Sequence, residues 1–339
     1  MIAHMLTFAG KNCTAFLGGI TKNYDTNYLP GDPAGSHAIV VVEADEYDRS
    51  FLTLSPDISV ITSMDPDHLD IYGDKKYMEE SYRLFASKLK SGGKLIFRDG
   101  LPLSDLKLDS KKYSITGRGD CNGTGIFIKD HRYHFDYVDN GHTIKDLYSD
   151  LPGLHNVENA IAAISVAGIL GLNETMIRES LKSYTGVRRR FDIQFRSDRL
   201  VFIDDYAHHP EELRACISSV RELYPGKKIL GIFQPHLFSR TRDFADGFAQ
   251  SLGLLHEVIL LDIYPARETP IPGVDSAMIG KKIKNIKSTL CTRDKVLELL
   301  ELKEFDVLLT LGAGDIDQLV EPIRKRLSST HFQSIEDDK

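Results

Sequence analysis

The sequence predicts a two-domain α/β protein with mostly parallel sheet, on three observations. Short apolar runs recur along the chain, each followed by a polar cluster and most then by a helix-length amphipathic segment. Several runs, such as Ala38 to Val42, are continuously apolar rather than alternating, the pattern of a parallel strand covered on both faces. The alternation breaks at Gly186-Val187-Arg188-Arg189-Arg190-Phe191-Asp192 and then restarts, which sets the expected domains at residues 1–187 and 188–339. A chain of 339 residues is long enough for two cores.

The elements follow in order. Met1, Ile2, Met5, Leu6, Phe8 and Ala9 have helical spacing with no capping residue ahead of them, so a helix is already under way at the first residue. Strands are expected at Ala38–Val42 and Ile58–Thr62, a helix over Lys75–Leu89, a break at Gly92-Gly93 and a strand at Lys94–Phe97. From Ile126 to Leu147 the pattern turns alternating and aromatic around Asn140-Gly141, a strong hairpin signal, and reads as an antiparallel extension of the first sheet. A helix follows over Asn156–Leu170, then a shorter one with Asn173 as N-cap and Ile177 and Leu181 on its apolar face.

Beyond the break, strands at Leu200–Ile203, Lys228–Phe233, Val258–Ile263 and Phe305–Leu311 alternate with helices at Glu211–Leu223, Arg242–Leu254, Ser276–Ile283, Arg293–Leu300 and Asp317–Leu327. Right-handed crossovers of that length make a doubly wound, Rossmann-like sheet. The polar tail from Ser328 to Lys339 is expected to fray.

Composition narrows the function. With 42% hydrophobic and 27% charged residues the chain is neither fibrous nor disordered. A formal charge of −7 provides no overall basic field for a nucleic acid polymer, so any anionic ligand must be gripped locally. Cys13, Cys121, Cys216 and Cys291 are scattered without metal or cystine spacing, no apolar run spans a membrane, and the N-terminus lacks signal-peptide features. A cytoplasmic setting without a membrane partner is expected; the oligomeric state is left open.

In open α/β sheets ligands bind outside the carboxyl ends of the strands. The unusual polar clusters sit there: Glu43 after the first run, His68 in Asp65-Pro66-Asp67-His68 after the second, Asp204 to His209, Gln234-Pro235-His236, and Gly312-Ala313-Gly314-Asp315. Each alone is commonplace in loops; together they describe two crevices facing each other. Glu43 and His68, at neighbouring strand ends, are candidates to share a hard divalent cation such as Mg²⁺. Arg188 to Arg190 form a cationic patch suited to phosphate, and His208, His209, His236, Arg240 and Arg242 are candidates to hold a carboxylate or phosphate. Solvated loop acids, a charged linker and surface polarity are the plain alternatives.

An ordered set of strings then resembles the Mur ligases, a family that joins an amino acid to a UDP-muramyl precursor. The strings are Glu43-Ala-Asp-Glu-Tyr-Asp-Arg-Ser-Phe-Leu52, Asp65-Pro-Asp-His-Leu-Asp70, His155-Asn-Val-Glu-Asn159, Arg189-Arg-Phe191, Asp204-Asp-Tyr-Ala-His-His-Pro-Glu211, Phe233-Gln-Pro-His-Leu-Phe-Ser-Arg-Thr-Arg-Asp243, Tyr264-Pro-Ala-Arg-Glu-Thr-Pro-Ile-Pro-Gly273 and Gly312-Ala-Gly314. They run in family order over nearly the whole chain, and the Phe233 string points to the branch whose substrates are UDP-N-acetylmuramate and L-alanine.

The resemblance implies an ATP-dependent route through an acyl phosphate, with Mg²⁺ and ATP as cofactors, in peptidoglycan synthesis. It implies Glu43 and His68 as metal ligands, Asn156 and Asn159 as adenine contacts, Arg190 on the ATP phosphates and Asp205 on the ribose. His208, His236 and Arg240 would orient the alanine and the muramyl carboxylate, and Glu43, His68 and Arg190 would carry the catalysis. The family pattern also has, ahead of the segment matching Met1, a UDP-sugar domain and a Gly-Thr-His-Gly-Lys-type phosphate loop. No G-x-x-x-x-G-K-[ST] string occurs here. The expectation is therefore an incomplete central ATPase-type domain, truncated at its N-terminus, followed by a complete C-terminal domain, with activity impaired or lost. A non-catalytic binding protein and a metal-dependent hydrolase stand as alternatives.

Overall fold

Helix α1 (Ile2–Phe8) begins without a side-chain cap and buries Ala3, His4, Met5 and Leu6 in a computed structural model that describes residues 1–35, 38–47, 49–64 and 75–336. The chain divides into two units, Met1–Gly186 and Val187–Lys339. In the first, strands β1 (Cys13–Thr21), β2 (Thr26–Leu29) and β3 (Ile39–Val42) form a small sheet in the order β2-β1-β3. β1 and β2 were not anticipated: β1 is interrupted by Gly18-Gly19 and lacks a clean period. β3 runs parallel to β1 but stands at the sheet edge, with Val40 58% and Val42 43% exposed. The expectation of a strand covered on both faces is thus corrected: among the described residues no layer covers the face that carries Val40 and Val42.

A second sheet has the order β4-β5-β6-β7-β8-β9. It comprises β4 (Ile58–Ile61), β5 (Lys94–Arg98), β6 (Ser110–Ser114), β7 (Cys121–Lys129), β8 (Arg132–Asp139) and β9 (His142–Ser149), with α2 (Lys75–Ser87) between β4 and β5. β4 to β7 are parallel and β7 to β9 antiparallel, so the hairpin does extend this sheet. Asn140 (φ 48°) and Gly141 (φ 83°) supply the two left-handed residues that a tight hairpin turn requires. β3 and β4 lie in different sheets, so the strand ends carrying Glu43 and leading to residues 65–70 are not neighbours in one ladder, a second correction.

Helix α3 (Leu154–Ile169) lies on this sheet along an Ala- and Ile-rich face. Gly123 on β7 permits the approach: a Cβ there would sit 2.5 Å from Ile161 Cδ1. Helix α4 (Glu174–Ser183) is capped by Asn173, whose side chain accepts from Met176 N at 2.9 Å, and it buries Ile177 and Leu181. His4 ties α1 to the unit, with Nδ1 3.0 Å from Tyr24 Oη and Nε2 3.0 Å from Ser183 Oγ.

The second unit is one six-stranded sheet, ordered β10-β11-β15-β12-β13-β14. In chain order its elements are β10 (Asp192–Arg196), β11 (Val201–Asp205), α5 (Pro210–Leu223), β12 (Ile229–Phe233), α6 (Phe238–Leu252), β13 (Glu257–Leu260) and α7 (Ser276–Lys282). β14 (Lys287–Leu290), α8 (Val296–Glu301), β15 (Val307–Leu311) and α9 (Val320–Glu336) follow. All pairs are parallel except β10 with β11. One face packs Phe202, Leu230, Ile232 and Leu308 against Val296 and Ile323 of α8 and α9. Phe233 meets Phe248 of α6 with ring centroids 5.3 Å apart, placing helices on the other face as double winding requires.

Two expectations change here. Helix α6 begins at Phe238, so Ser239 and Arg240 lie in its first turn rather than in a preceding loop. The tail stays helical to Glu336: Ser328 and Ser329 donate their hydroxyls to the carbonyls of Arg324 and Arg326, and the helix runs on. No helix among the described residues is long and apolar enough to cross a membrane.

Candidate active site

Strand β11 ends in two carboxylates with different work. Asp204 is 1% exposed and accepts the Thr310 hydroxyl at 2.6 Å; burial pushes its pKa up to about 6. Asp205 accepts Phe191 N at 2.7 Å and Ala207 N at 2.8 Å, and burial raises its pKa as well. Asp205 therefore ties the chain entering the unit to the loop leaving β11, and a ligand hydroxyl meets only its remaining lone pairs.

That loop, Tyr206-Ala207-His208-His209, feeds α5, whose first turn supplies Glu212. Glu212 Oε2 accepts His208 N at 2.9 Å and His209 N at 3.1 Å, the reciprocal half of a capping box. The same oxygen lies 3.1 Å from His208 Nδ1. Burial by itself would raise the Glu212 pKa, but the hydrogen bonds and charge of His208 hold it down, at about 2.

At the end of β12 the chain must turn His236 and the start of α6 toward the same place, and Leu237 takes up the strain at φ 68°. The neighbouring loop after β13 holds it there: Leu237 N donates to Tyr264 O at 2.9 Å and Tyr264 N to Pro235 O at 2.8 Å. Glu268 from that loop accepts Ser239 N at 3.0 Å and the Ser239 hydroxyl, capping the helix that carries Arg240. Hydrogen bonds from Ser239 depress the Glu268 pKa. Gln234 bridges the other way, donating to Asp315 at 2.7 Å and accepting Ile316 N at 2.9 Å.

These loops bring His208, His236 and Arg240 together. The two imidazole centroids are 5.9 Å apart, and the His236 ring stacks on Tyr264 at 5.7 Å. Burial first, then the charge of Arg240 and the nearness of His208, lower the His236 pKa to about 4. His236 Nδ1 and Arg240 Nη1 are buried without hydrogen-bond partners. A buried guanidinium N–H left unpaired costs about 1–3 kcal/mol or more, and an anion is what relieves that cost.

Arg189 and Arg190 share the face of Tyr206, their guanidiniums 4.8 and 5.6 Å from its ring centroid, but differ in their other surroundings. Arg189 turns into the unit, donating to Gly312 O at 2.6 Å and lying 3.8 Å from Asp204 and 3.6 Å from Asp317. Arg190 stays exposed, its guanidinium 5.6 Å from the Tyr206 ring centroid.

In the first unit, Glu43 follows β3 and its Oε2 accepts Gly18 N at 2.7 Å. A Cβ on Gly18 would fall 2.4 Å from Glu43 Oε1, so this glycine forms a cradle that only the carboxylate fills. One carboxylate, oriented by the Gly18 N–H, fits a Mg²⁺ ion that keeps several waters and takes phosphate oxygens. His68, the second expected ligand, lies outside the described residues. Among the described residues no group of three or more His, Cys, Asp or Glu converges as a metal cluster. Asn156 and Asn159 stand in the first turns of α3; Asn156 donates to Pro152 O at 2.6 Å and accepts from Asn159 at 3.5 Å.

Glu212, Ser239 and Glu268 were given no role on sequence grounds. The signal for Glu212 was present, a Glu three residues after His209 at a helix start. Glu268 carried no local signal, since its partner is 29 residues away.

The profile of the family described as Mur ligase middle domain matches residues 1–167, and that described as Mur ligase, glutamate ligase domain matches residues 189–314. The chain is 45% identical over 330 residues to a UDP-N-acetylmuramate--L-alanine ligase of Parabacteroides distasonis, covering 96% of this chain and 71% of that one. A protein of the same name from Phocaeicola vulgatus is 47% identical over 326 residues, covering 95% and 70%. The crystal structure of the UDP-N-acetylmuramate-alanine ligase from Thermotoga maritima superposes with a TM-score of 0.80 at 27% identity, covering 97% of this chain and 72% of that one.

Proposed function

We propose that this chain, which belongs to the Mur ligase family, forms an amide between L-alanine and the carboxylate of UDP-N-acetylmuramate, with ATP as the energy source. The observation that carries this reading is the convergence of His208, His236 and Arg240, with Arg240 Nη1 buried and unpaired. An amino acid presents a carboxylate to such a cation and an amine to a neutral imidazole. The low pKa of His236, about 4, keeps that ring uncharged at neutral pH beside Arg240.

In this reading ATP phosphorylates the muramyl carboxylate, the alanine amine attacks the acyl phosphate, and phosphate leaves. Arg190, exposed on the face of Tyr206, answers the phosphate charge, and Asp205 offers its remaining lone pairs to a ribose hydroxyl. Asn156 and Asn159, each with donor and acceptor, suit a purine edge. Mg²⁺, when bound, supplies charge neutralisation for phosphate oxygens, and Glu43 with His68 would hold it.

The test is ADP release and amide formation with UDP-N-acetylmuramate, L-alanine, ATP and Mg²⁺. Arg240→Ala should lower kcat/KM for L-alanine by about 100-fold, the scale expected when one partner of a buried charge pair is removed, with the fold retained. Unchanged alanine kinetics in that variant would exclude the assignment of Arg240.

A further inference from the structure

The two histidines at this site are held in opposite ways. His236 has a cation, Arg240, as its charged neighbour and leaves Nδ1 without a partner. His208 faces acceptors: Nδ1 lies 3.1 Å from the Tyr206 carbonyl oxygen and 3.1 Å from Glu212 Oε2. Neither acceptor has a proton to give, so the proton between them belongs to the ring. Nδ1 is therefore the N–H of His208, and in the neutral ring the lone pair resides on Nε2. Among the described residues Nε2 has no hydrogen-bond partner.

The carboxylate that fixes this tautomer is itself fixed. Glu212 is held on α5 by the backbone N–H groups of His208 and His209, so it cannot swing away without uncapping the helix. The other groups around the ring are Tyr206, at 5.2 Å between centroids with Arg189 and Arg190 on its face, and His236 with Arg240 and Glu268 beyond it.

We propose that Glu212 and His208 form a proton-accepting dyad, in which Glu212 holds His208 as the Nδ1–H tautomer and Nε2 takes a proton from the nucleophilic amine. This rests on the ligase reading given above. One N–H bond of the amine breaks and one Nε2–H bond forms; the nitrogen keeps the electron pair that attacks the acyl carbon. The imidazolium produced keeps its Nδ1–H on Glu212, whose negative charge stabilises it. Glu212 is a positioning residue, touching only His208 and the backbone, whereas His208 meets the substrate. His236, beside Arg240, is poorly placed to accept a second positive charge and serves as a neutral contact.

The decisive variant is Glu212→Gln, because a glutamine oxygen still accepts the two backbone N–H groups while the charge is lost. In the full chain, ¹⁵N-resolved imidazole spectra, assigned by loss of the signal in His208→Gln, should show His208 with Nδ1 protonated and Nε2 bare. In Glu212→Gln the Nδ1 proton resonance should move upfield. With amide formation as readout, Glu212→Gln should lower kcat about 10- to 100-fold, at the lower end of general-base contributions. KM for L-alanine should stay close to wild type, Tm should fall because the stabilising Glu212 charge is lost while the chain remains folded at the assay temperature, and the acid limb of the kcat profile should move to lower pH. An Nε2-protonated wild-type ring, an unmoved Nδ1 proton, or an unchanged kcat overturns the dyad. If the wild-type chain and a longer relative both form no amide, the ligase reading fails, and the imidazole spectra alone uphold or overturn the pairing of Glu212 with His208.

Discussion

Strands β3 and β15 are alike as sequences and unlike as structures. Ile39-Val-Val-Val42 and Val307-Leu-Leu-Thr-Leu311 are both short apolar runs, yet every residue of β15 is buried while β3 alternates between half-buried and exposed. β15 lies between β11 and β12 with helices over the sheet; β3 has β1 on one side and stands at an edge. Local sequence makes a strand, and the number of neighbours decides what that strand is worth. The first unit's small sheet and the second unit's large one therefore respond differently to the same insult.

The largest difference should come from truncating side chains. Leu308→Ala, at a fully buried position, should cost about 2–5 kcal/mol, whereas Val40→Ala, at 58% exposure, should stay within about 0.5 kcal/mol. Urea unfolding followed by amide exchange at Ile232 and Ile96, one reporter in each unit, checks both. Comparable losses in the two variants would mean that β3 is covered in solution.

Acid should separate the units next. His4 in the first unit is buried and its pKa is lowered to about 4, by burial first. The unfolded chain then takes up the proton first, so stability is full above about pH 6.5 and falls toward pH 4, by about 3 kcal/mol. In the second unit His236, at about 4, has the same sign, but Asp204 opposes it. Its folded pKa of about 6 lies above the unfolded value, so the folded state binds the proton first and gains stability as pH falls from 6 toward 3.8. Between pH 6.5 and 4 the protection factor at Ile96, exchange corrected for its intrinsic pH dependence, should fall markedly while that at Ile232 changes little. His4→Gln should flatten the first, and Asp204→Asn should unmask the loss in the second.

The smallest effects sharpen the contrast between the two candidate sites. A Cβ on Gly314 would meet Gln234 Oε1 at 2.4 Å and Tyr264 Cβ at 2.6 Å, both in packed loops, so Gly314→Ala should cost about 1–3 kcal/mol. On Gly18 it would meet only the end of the Glu43 side chain, which can swing aside. Gly18→Ala should cost less than about 1 kcal/mol while displacing Glu43 from the Gly18 N–H. Thermal melts rank the pair, and equal costs would show that the Glu43 carboxylate is as rigidly held as Gln234.

Much of the second unit was legible in the sequence because its strands are buried on both faces and its helices carry a clear period. The first unit was harder. β1 is broken by glycines, β6 (Ser110-Lys-Lys-Tyr-Ser114) is largely polar, and β3 reads as a core strand although it stands at an edge. At the candidate site, Asp205, His208, His236 and Arg240 stood out because polar residues at strand ends are conspicuous. Glu268 did not, since nothing near it in the chain announces Ser239 as its partner.

By itself the sequence determined the α/β class, the break near residue 187, the hairpin at Asn140-Gly141, the Asn173 cap and the family. Each is a local pattern or an ordered set of strings, and local physics suffices for it. The tertiary structure decided which strands have two neighbours, that Arg189 is tied to the Gly312 carbonyl while Arg190 stays exposed, and that two histidines 28 residues apart are set against opposite charges. Those outcomes depend on which loops the sheet order brings side by side. The left-handed turn at Leu237, held by Tyr264, is where that order becomes a site.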